Sequence, residues 1–137
     1  MTTNLDEISE IVIWWRDLPY HYDGLADLMN ARQRLSGYVF GYAEEIAKLR
    51  KSWSDSQTRL EIAKNQKRVQ FLDSGTTKAD YMARANIKTE FDDERTGEAL
   101  YYGSKVIYDA AIEVLGAMAQ RIAHLREEWK LKQYQSG

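Results

Sequence analysis

Between Asp23 and Leu72 the apolar side chains fall into two rows with a spacing of seven. One row is Leu28, Leu35, Tyr42 and Leu49, and the other is Val39, Ile46, Trp53 and Leu60. A helix of 3.6 residues per turn places two such rows side by side as one seam, and a seam kept up over several heptads requires a partner helix, inside or between chains. The segment contains no proline, so a single long helix from about Asp23 to about Leu72 is expected. Gly37 and Gly41, four residues apart on one face, either admit a close helix or weaken the helix there by roughly 1 kcal/mol each.

The chain's one proline, Pro19, ends what precedes it, because proline disfavours helix at the residue before it and has no N–H to donate. Leu5, Ile8, Ile11 or Val12, and Trp15 recur at helical spacing, so a short first helix is expected from about Leu5 to Asp17, capped by Asn4 or Thr3. The long helix loses its heptads beyond Leu60 and is expected to stop at Asp73-Ser74-Gly75, with Gly75 as a left-handed cap. Thr77, with Asp80 three residues on, starts a shorter helix running from Lys78 to about Phe91, followed by an acidic segment from Glu90 to Glu94. A last helix is expected from about Thr96 to Lys132. Its stripe is Leu100, Ile107, Ala111, Val114, Leu115, Met118, Ile122, Leu125 and Trp129. No segment alternates with period two and no internal repeat occurs. The fold class is therefore all-α: an elongated helical protein with a short N-terminal helix, one long helix and a long C-terminal helix, joined by a shorter one. It reads as one helical domain over 1–137, with 1–75 carrying the acidic helix and the long helix, and 76–137 the connecting and final helices.

Hydrophobic residues make up 44% of the 137 and charged residues 29%, a balance that suits amphipathic helices. The absence of cysteine excludes disulfides and thiolate metal sites and fits a reducing compartment. Met1 to Glu10 carries acids where a signal peptide needs bases, and the longest apolar run, Ile11 to Trp15, is far too short to span a bilayer. A cytoplasmic protein without membrane contact is expected. The net charge of −2 conceals an asymmetry. From Met1 to Asn30, Asp6, Glu7, Glu10, Asp17, Asp23 and Asp27 face only Arg16, whereas Lys48, Arg50, Lys51, Arg59, Lys64, Lys67 and Arg68 outnumber Asp55 and Glu61. An acidic head and a basic middle point to a local polyanion site or to complementary surfaces on neighbouring subunits.

The residue patterns of catalysis are missing. There is no glycine-rich phosphate loop, no His-Glu-x-x-His and no Gly-x-Ser-x-Gly. His21 and His124 are isolated and read as structural. Asp92, Asp93 and Glu94 lack the alternating oxygen ligands of a cation loop and read as a solvated acidic turn. No catalytic residue, metal or cofactor is expected. Trp53 and Trp129 lie on apolar stripes and read as packing residues; Trp14 and Trp15 are adjacent and cannot both face one core, which leaves one as an interface anchor. The segment from Arg59 to Gly75 combines Arg59, Lys64, Lys67 and Arg68 with Phe71, and Tyr81 lies just beyond it. Several bases with an aromatic face form the usual means of holding a single strand without sequence preference, and Lys48, Arg50 and Lys51 extend the basic stretch. The bland alternative is a solvated surface that pairs with the acidic head.

In length and order of elements, nearly the whole chain resembles the UvsY family of phage recombination mediators. The segments that carry the resemblance are KRVQFLDSG (Lys67 to Gly75), KADYMARANIKTEF (Lys78 to Phe91) and LYYGSKVIYDAAIEVLGAMAQRIAHLREEW (Leu100 to Trp129). The resemblance implies a non-enzymatic accessory factor of DNA recombination and repair in an infected bacterial host. Such a factor forms a ring-like homo-oligomer that wraps single-stranded DNA. It helps a RecA-like recombinase replace a single-strand-binding protein. It places DNA contacts just before the aromatic-Ser-Gly turn, where Arg68 matches the family's basic position. The second basic position falls on Gln66, with Lys64 and Lys67 the nearest bases, and of the paired aromatics only Phe71 is kept. It makes the final helix the oligomer interface, through Leu115, Ile122, Leu125 and Trp129. The alternative function is a helical scaffold or adaptor of phage origin that acts through protein–protein contacts alone.

Overall fold

A computed structural model describes residues 3–70, 72, 75, 77, 78, 81, 82 and 86–136 of the chain. Its long elements are α1 (Asn4–Asp17), α2 (Leu25–Gln70) and α3 (Lys88–Ser136), and no strand occurs among the described residues.

Thr3 caps α1. Its hydroxyl accepts a hydrogen bond from the Asp6 N–H (3.2 Å), and the Asp6 carboxylate accepts one from the Thr3 N–H (3.2 Å), so two otherwise orphaned donors are satisfied reciprocally. Aspartate thus does at this position what glutamate usually does. At the other end Leu18 turns to extended geometry ahead of Pro19, as the proline requires. The α2 helix starts and stops two residues inside the expected bounds. Gly75 takes a positive φ of 93°, and its N–H donates to the Leu72 carbonyl (3.1 Å), which makes it the left-handed residue after the helix.

Two expectations need correcting. The helix expected over Lys78 to Phe91 does not run through. Thr77, Lys78, Tyr81 and Met82 are helical, but Asn86 is a turn residue and Ile87 is not helical; Ala79, Asp80 and 83–85 lie outside the described residues. The Asn86 side-chain amide donates to the Met82 carbonyl (2.7 Å), a local bond that competes with continuing the helix. The final helix begins eight residues earlier than Thr96, at Lys88, with Phe91 N–H donating to Ile87 O (3.0 Å). Glu90, Asp92 and Asp93 therefore lie in the first turns of α3, where the helix dipole favours negative charge. They do not form a loop.

The chain packs as two compact units whose boundaries lie inside α2 and α3. Unit 1 comprises 1–44 and 104–137. Its buried side chains are Ile8, Ile11 and Val12 from α1, Leu28, Ala31, Leu35, Val39 and Tyr42 from α2, and Ala111, Met118 and Ile122 from α3. Ile8, Leu28, Leu35 and Met118 are fully buried, each contributing about 1.5–3 kcal/mol of transfer free energy. The start of α1 lies near Gly41 of α2, where an added Cβ would be 3.3 Å from Asn4 Nδ2, and Glu7 pairs with Arg34 (3.6 Å). Gly37 has open space around it, so of the two glycines only Gly41 serves a close approach.

Unit 2 comprises 45–103. Ser56 and Leu60 of α2, Ile87 just ahead of α3 and Tyr101 of α3 are buried there. Trp53 stacks on Tyr101 (ring centroids 5.5 Å apart, planes at 24°) and meets Tyr102 edge-on (5.4 Å). The Trp53 indole N–H donates to Glu94 Oε1 (3.0 Å). Gly97 lies against the tryptophan backbone: a Cβ there would come within 3.2 Å of Trp53 Cα.

Candidate nucleic-acid interface

All seven bases of the basic stretch sit on the half of α2 that belongs to unit 2. With Val39 as heptad position a and Tyr42 as d, Lys48 falls at c, Arg50 at e, Lys51 at f, Arg59 at g, Lys64 at e, Lys67 at a and Arg68 at b. They wind around the helix and do not share one face. Lys48, Arg50, Lys51, Arg59 and Arg68 are exposed, and Lys64 and Lys67 are half-buried. Phe71 lies outside the described residues.

Most of the bases are lightly held. Lys48 pairs with Glu45 (3.7 Å) and Lys64 with Glu61 (3.8 Å), both one turn away on the same helix. Exposed pairs of this kind contribute about 0.3–0.5 kcal/mol and leave the cation open to a stronger anion. Lys67 donates to Gln70 Oε1 (3.4 Å), and Arg59 Nη2 donates to the buried Ser56 hydroxyl (3.0 Å). Arg50 and Lys51 make no ion pair among the described residues. Lys67 and Arg68, in the last turn, also complement the negative end of the helix dipole.

Of the side chains expected at an oligomer interface, Ile122 is only 6% exposed and is spent within unit 1, while Leu115 and Leu125 are half-buried. Trp129 is 59% exposed, and Leu131 and Tyr134 beyond it are exposed as well. Trp129 therefore does not pack into the core of this chain. Leu100 is also exposed, because the seam of α3 runs through Gly97, Tyr101, Ser104, Tyr108, Ala111, Leu115, Met118, Ile122 and Leu125, one position away from Leu100, Ile107 and Val114.

Both adjacent tryptophans find neighbours in unit 1: Trp14 meets Tyr22 edge-on (6.2 Å), and the Arg121 guanidinium lies over Trp15 (5.3 Å). His21 is exposed, and His124 Nε2 lies 3.1 Å from Glu128 Oε1. Asp92, Asp93 and Glu94 follow one another on a helix, so their carboxylates point about 100° apart and cannot converge. Among the described residues no group of three or more His, Asp or Glu could hold a metal ion, and no helix is long and apolar enough to cross a membrane.

Two features escaped the sequence reading. The cluster of Trp53, Tyr101 and Tyr102, with half of Tyr102 exposed, had its signal in the spacing Gly97–Tyr101 opposite a heptad tryptophan. The other is a groove of about 520 Å³ in unit 1, lined by Met29, Arg32, Gln33 and Ser36 of α2 and by Ala119, Ile122, Ala123 and Arg126 of α3. No protein family, curated protein or solved structure matches this chain.

Proposed function

We propose that the protein is a recombination mediator that binds single-stranded DNA as a homo-oligomer, of the kind its sequence resembles. In that role it promotes loading of a RecA-like recombinase in place of single-strand-binding protein. The observation that carries the DNA-binding part is the concentration of seven bases from Lys48 to Arg68, five of them exposed, on one unit. Because they wind around the helix, a straight duplex would meet only some of them, whereas a flexible strand can follow them. Each phosphate contact is weak, and repetition around an oligomer multiplies them.

The test is salt-titrated anisotropy of a labelled single strand and of the duplex of equal length. Preference for the single strand, steep salt dependence, and weaker binding by the Lys64→Glu, Lys67→Glu, Arg68→Glu protein are expected. Equal and negligible binding of both probes at low salt would end the proposal. A second reading, a scaffold or adaptor acting through protein contacts alone, draws on the exposed Trp129, Leu131 and Tyr134. Under it the triple charge reversal would leave both assembly and partner binding intact.

A further inference from the structure

The groove of unit 1 has a chemistry that its fold does not require. Arg32 and Arg126 line it together with Gln33 and Ser36, and Ala119 and Ala123 keep its floor low. Among the described residues no carboxylate lines it. Arg32 makes no hydrogen bond or ion pair among the described residues, and Arg126 makes only a long contact from Nη2 to Met29 Sδ (3.6 Å). Two guanidinium groups brought to one groove from distant parts of the chain, with an amide and a hydroxyl also in its lining, suit an oxyanion.

A second observation narrows the anion. Arg32, Ser36 and Phe40 follow one another at four-residue intervals, so they stand in a line along one flank of α2. Phe40 is 86% exposed, a large cost for a side chain that supports nothing inside unit 1. A cationic pair whose Arg32 lies two helical turns, about 12 Å, from an open aromatic ring meets the two needs of a short single strand, a phosphate clamp and a face for a nearby base.

We infer that this groove is a second contact site for single-stranded nucleic acid, with Arg32 and Arg126 holding a phosphate and Phe40 stacking on a nearby base. The inference rests on the single-strand reading above and adds a site in unit 1 to the basic stretch of unit 2. Gln33 and Ser36 donate to the remaining phosphate oxygens. The site discriminates little between bases, because every base has a face to offer the ring.

The experiment uses the full chain and a fluorescein-labelled oligothymidylate, with anisotropy followed across a salt series and sedimentation velocity in parallel. The Arg32→Gln, Arg126→Gln protein should bind roughly tenfold more weakly at moderate salt. Its log K against log salt should be shallower by about 0.7, the value for one phosphate contact on a single strand. Phe40→Leu keeps an apolar side chain but removes the ring; it should weaken binding about tenfold while leaving the salt slope unchanged. Circular dichroism of both variants should match the parent, since all three side chains are exposed.

Parent-like affinity and slope in both variants, with the parent binding and the Lys64, Lys67 and Arg68 reversal weakened, would overturn the groove and leave the basic stretch standing. Failure of the parent itself to bind would remove both. Loss of assembly in the Arg32, Arg126 variant, with binding per subunit unchanged, would also overturn the inference, by showing that the groove receives an acidic segment of another copy.

Discussion

In unit 1 the heptad positions hold Leu28, Leu35, Ala111, Met118 and Ile122, whereas in unit 2 the same two helices meet through Trp53, Ser56, Gly97 and Tyr101. The aliphatic version buries side chains completely and adds α1 as a third layer. The aromatic version buries less, keeps Trp53 and Tyr102 partly open, and fixes its geometry through one directed bond, from the indole to Glu94. Area removed from water dominates the first, and shape and hydrogen bonding dominate the second. Most of the stability should therefore reside in unit 1, and most of the sensitivity to small steric changes in unit 2.

The largest effect expected is from Leu35→Ala in unit 1. A fully buried leucine removed from a three-layer contact costs about 2–5 kcal/mol, read as a fall in the urea midpoint by circular dichroism. A loss below 1 kcal/mol would show that the seam collapses around the change and would erase the contrast. The next effect belongs to unit 2. Gly97→Ala gains about 1 kcal/mol of helix propensity but presses a methyl against the Trp53 backbone at 3.2 Å, and overpacking of this kind costs about 1–3 kcal/mol. A net loss of about 1 kcal/mol with a shift in tryptophan emission is expected. The matched change in unit 1, Gly116→Ala, meets nothing within 4 Å and should stabilise by slightly less than 1 kcal/mol in the same denaturation assay. Equal signs for the two glycines would break the comparison.

The smallest effect is one of pH. Tyr22 donates its phenol proton to Asp27 Oδ2 (2.9 Å), and this hydrogen bond, with desolvation and the charges of Asp27 and Asp23, raises its pKa above the ordinary value. A raised folded-state value means that the stabilisation is fully present below the unfolded pKa of about 10 and is lost as pH climbs through the folded one. In an NMR titration the Tyr22 ring should ionise at higher pH in the parent than in the Asp27→Ala protein, and equal midpoints would remove the effect.

The parts that could be read from the sequence are those in which local chemistry and tertiary packing agree. Thr3, Pro19 and Gly75 mark ends whose reasons lie within a few residues of them. The rows of α2 were legible because large apolar side chains fill them from Leu28 to Leu60. On α3 the true seam carries glycine, serine and tyrosine at Gly97, Tyr101, Ser104 and Tyr108, while Leu100, Ile107 and Val114 stand one residue aside and draw the eye. The start of α3 was hidden for a related reason: three consecutive acids suggest a turn unless one knows that they occupy the beginning of a helix. Neither Arg32 nor Phe40 stands out in a linear reading. Only packing brings Arg126 and Arg32 to one groove, and only packing leaves the phenylalanine 86% exposed.

The two-unit arrangement has a consequence for biosynthesis. Unit 1 is assembled from the first and last stretches of the chain, and unit 2 is contained in the middle. As the chain leaves the ribosome, 45–103 can pair while α1 and the start of α2 still wait for Met118 and Ile122. Those early segments expose Ile8, Leu28 and Leu35 in the meantime, the interval in which a nascent chain is most prone to stick to its neighbours. Pairing in the middle then draws the two ends together, so the long loop that unit 1 would otherwise have to close is already short when its last residues arrive.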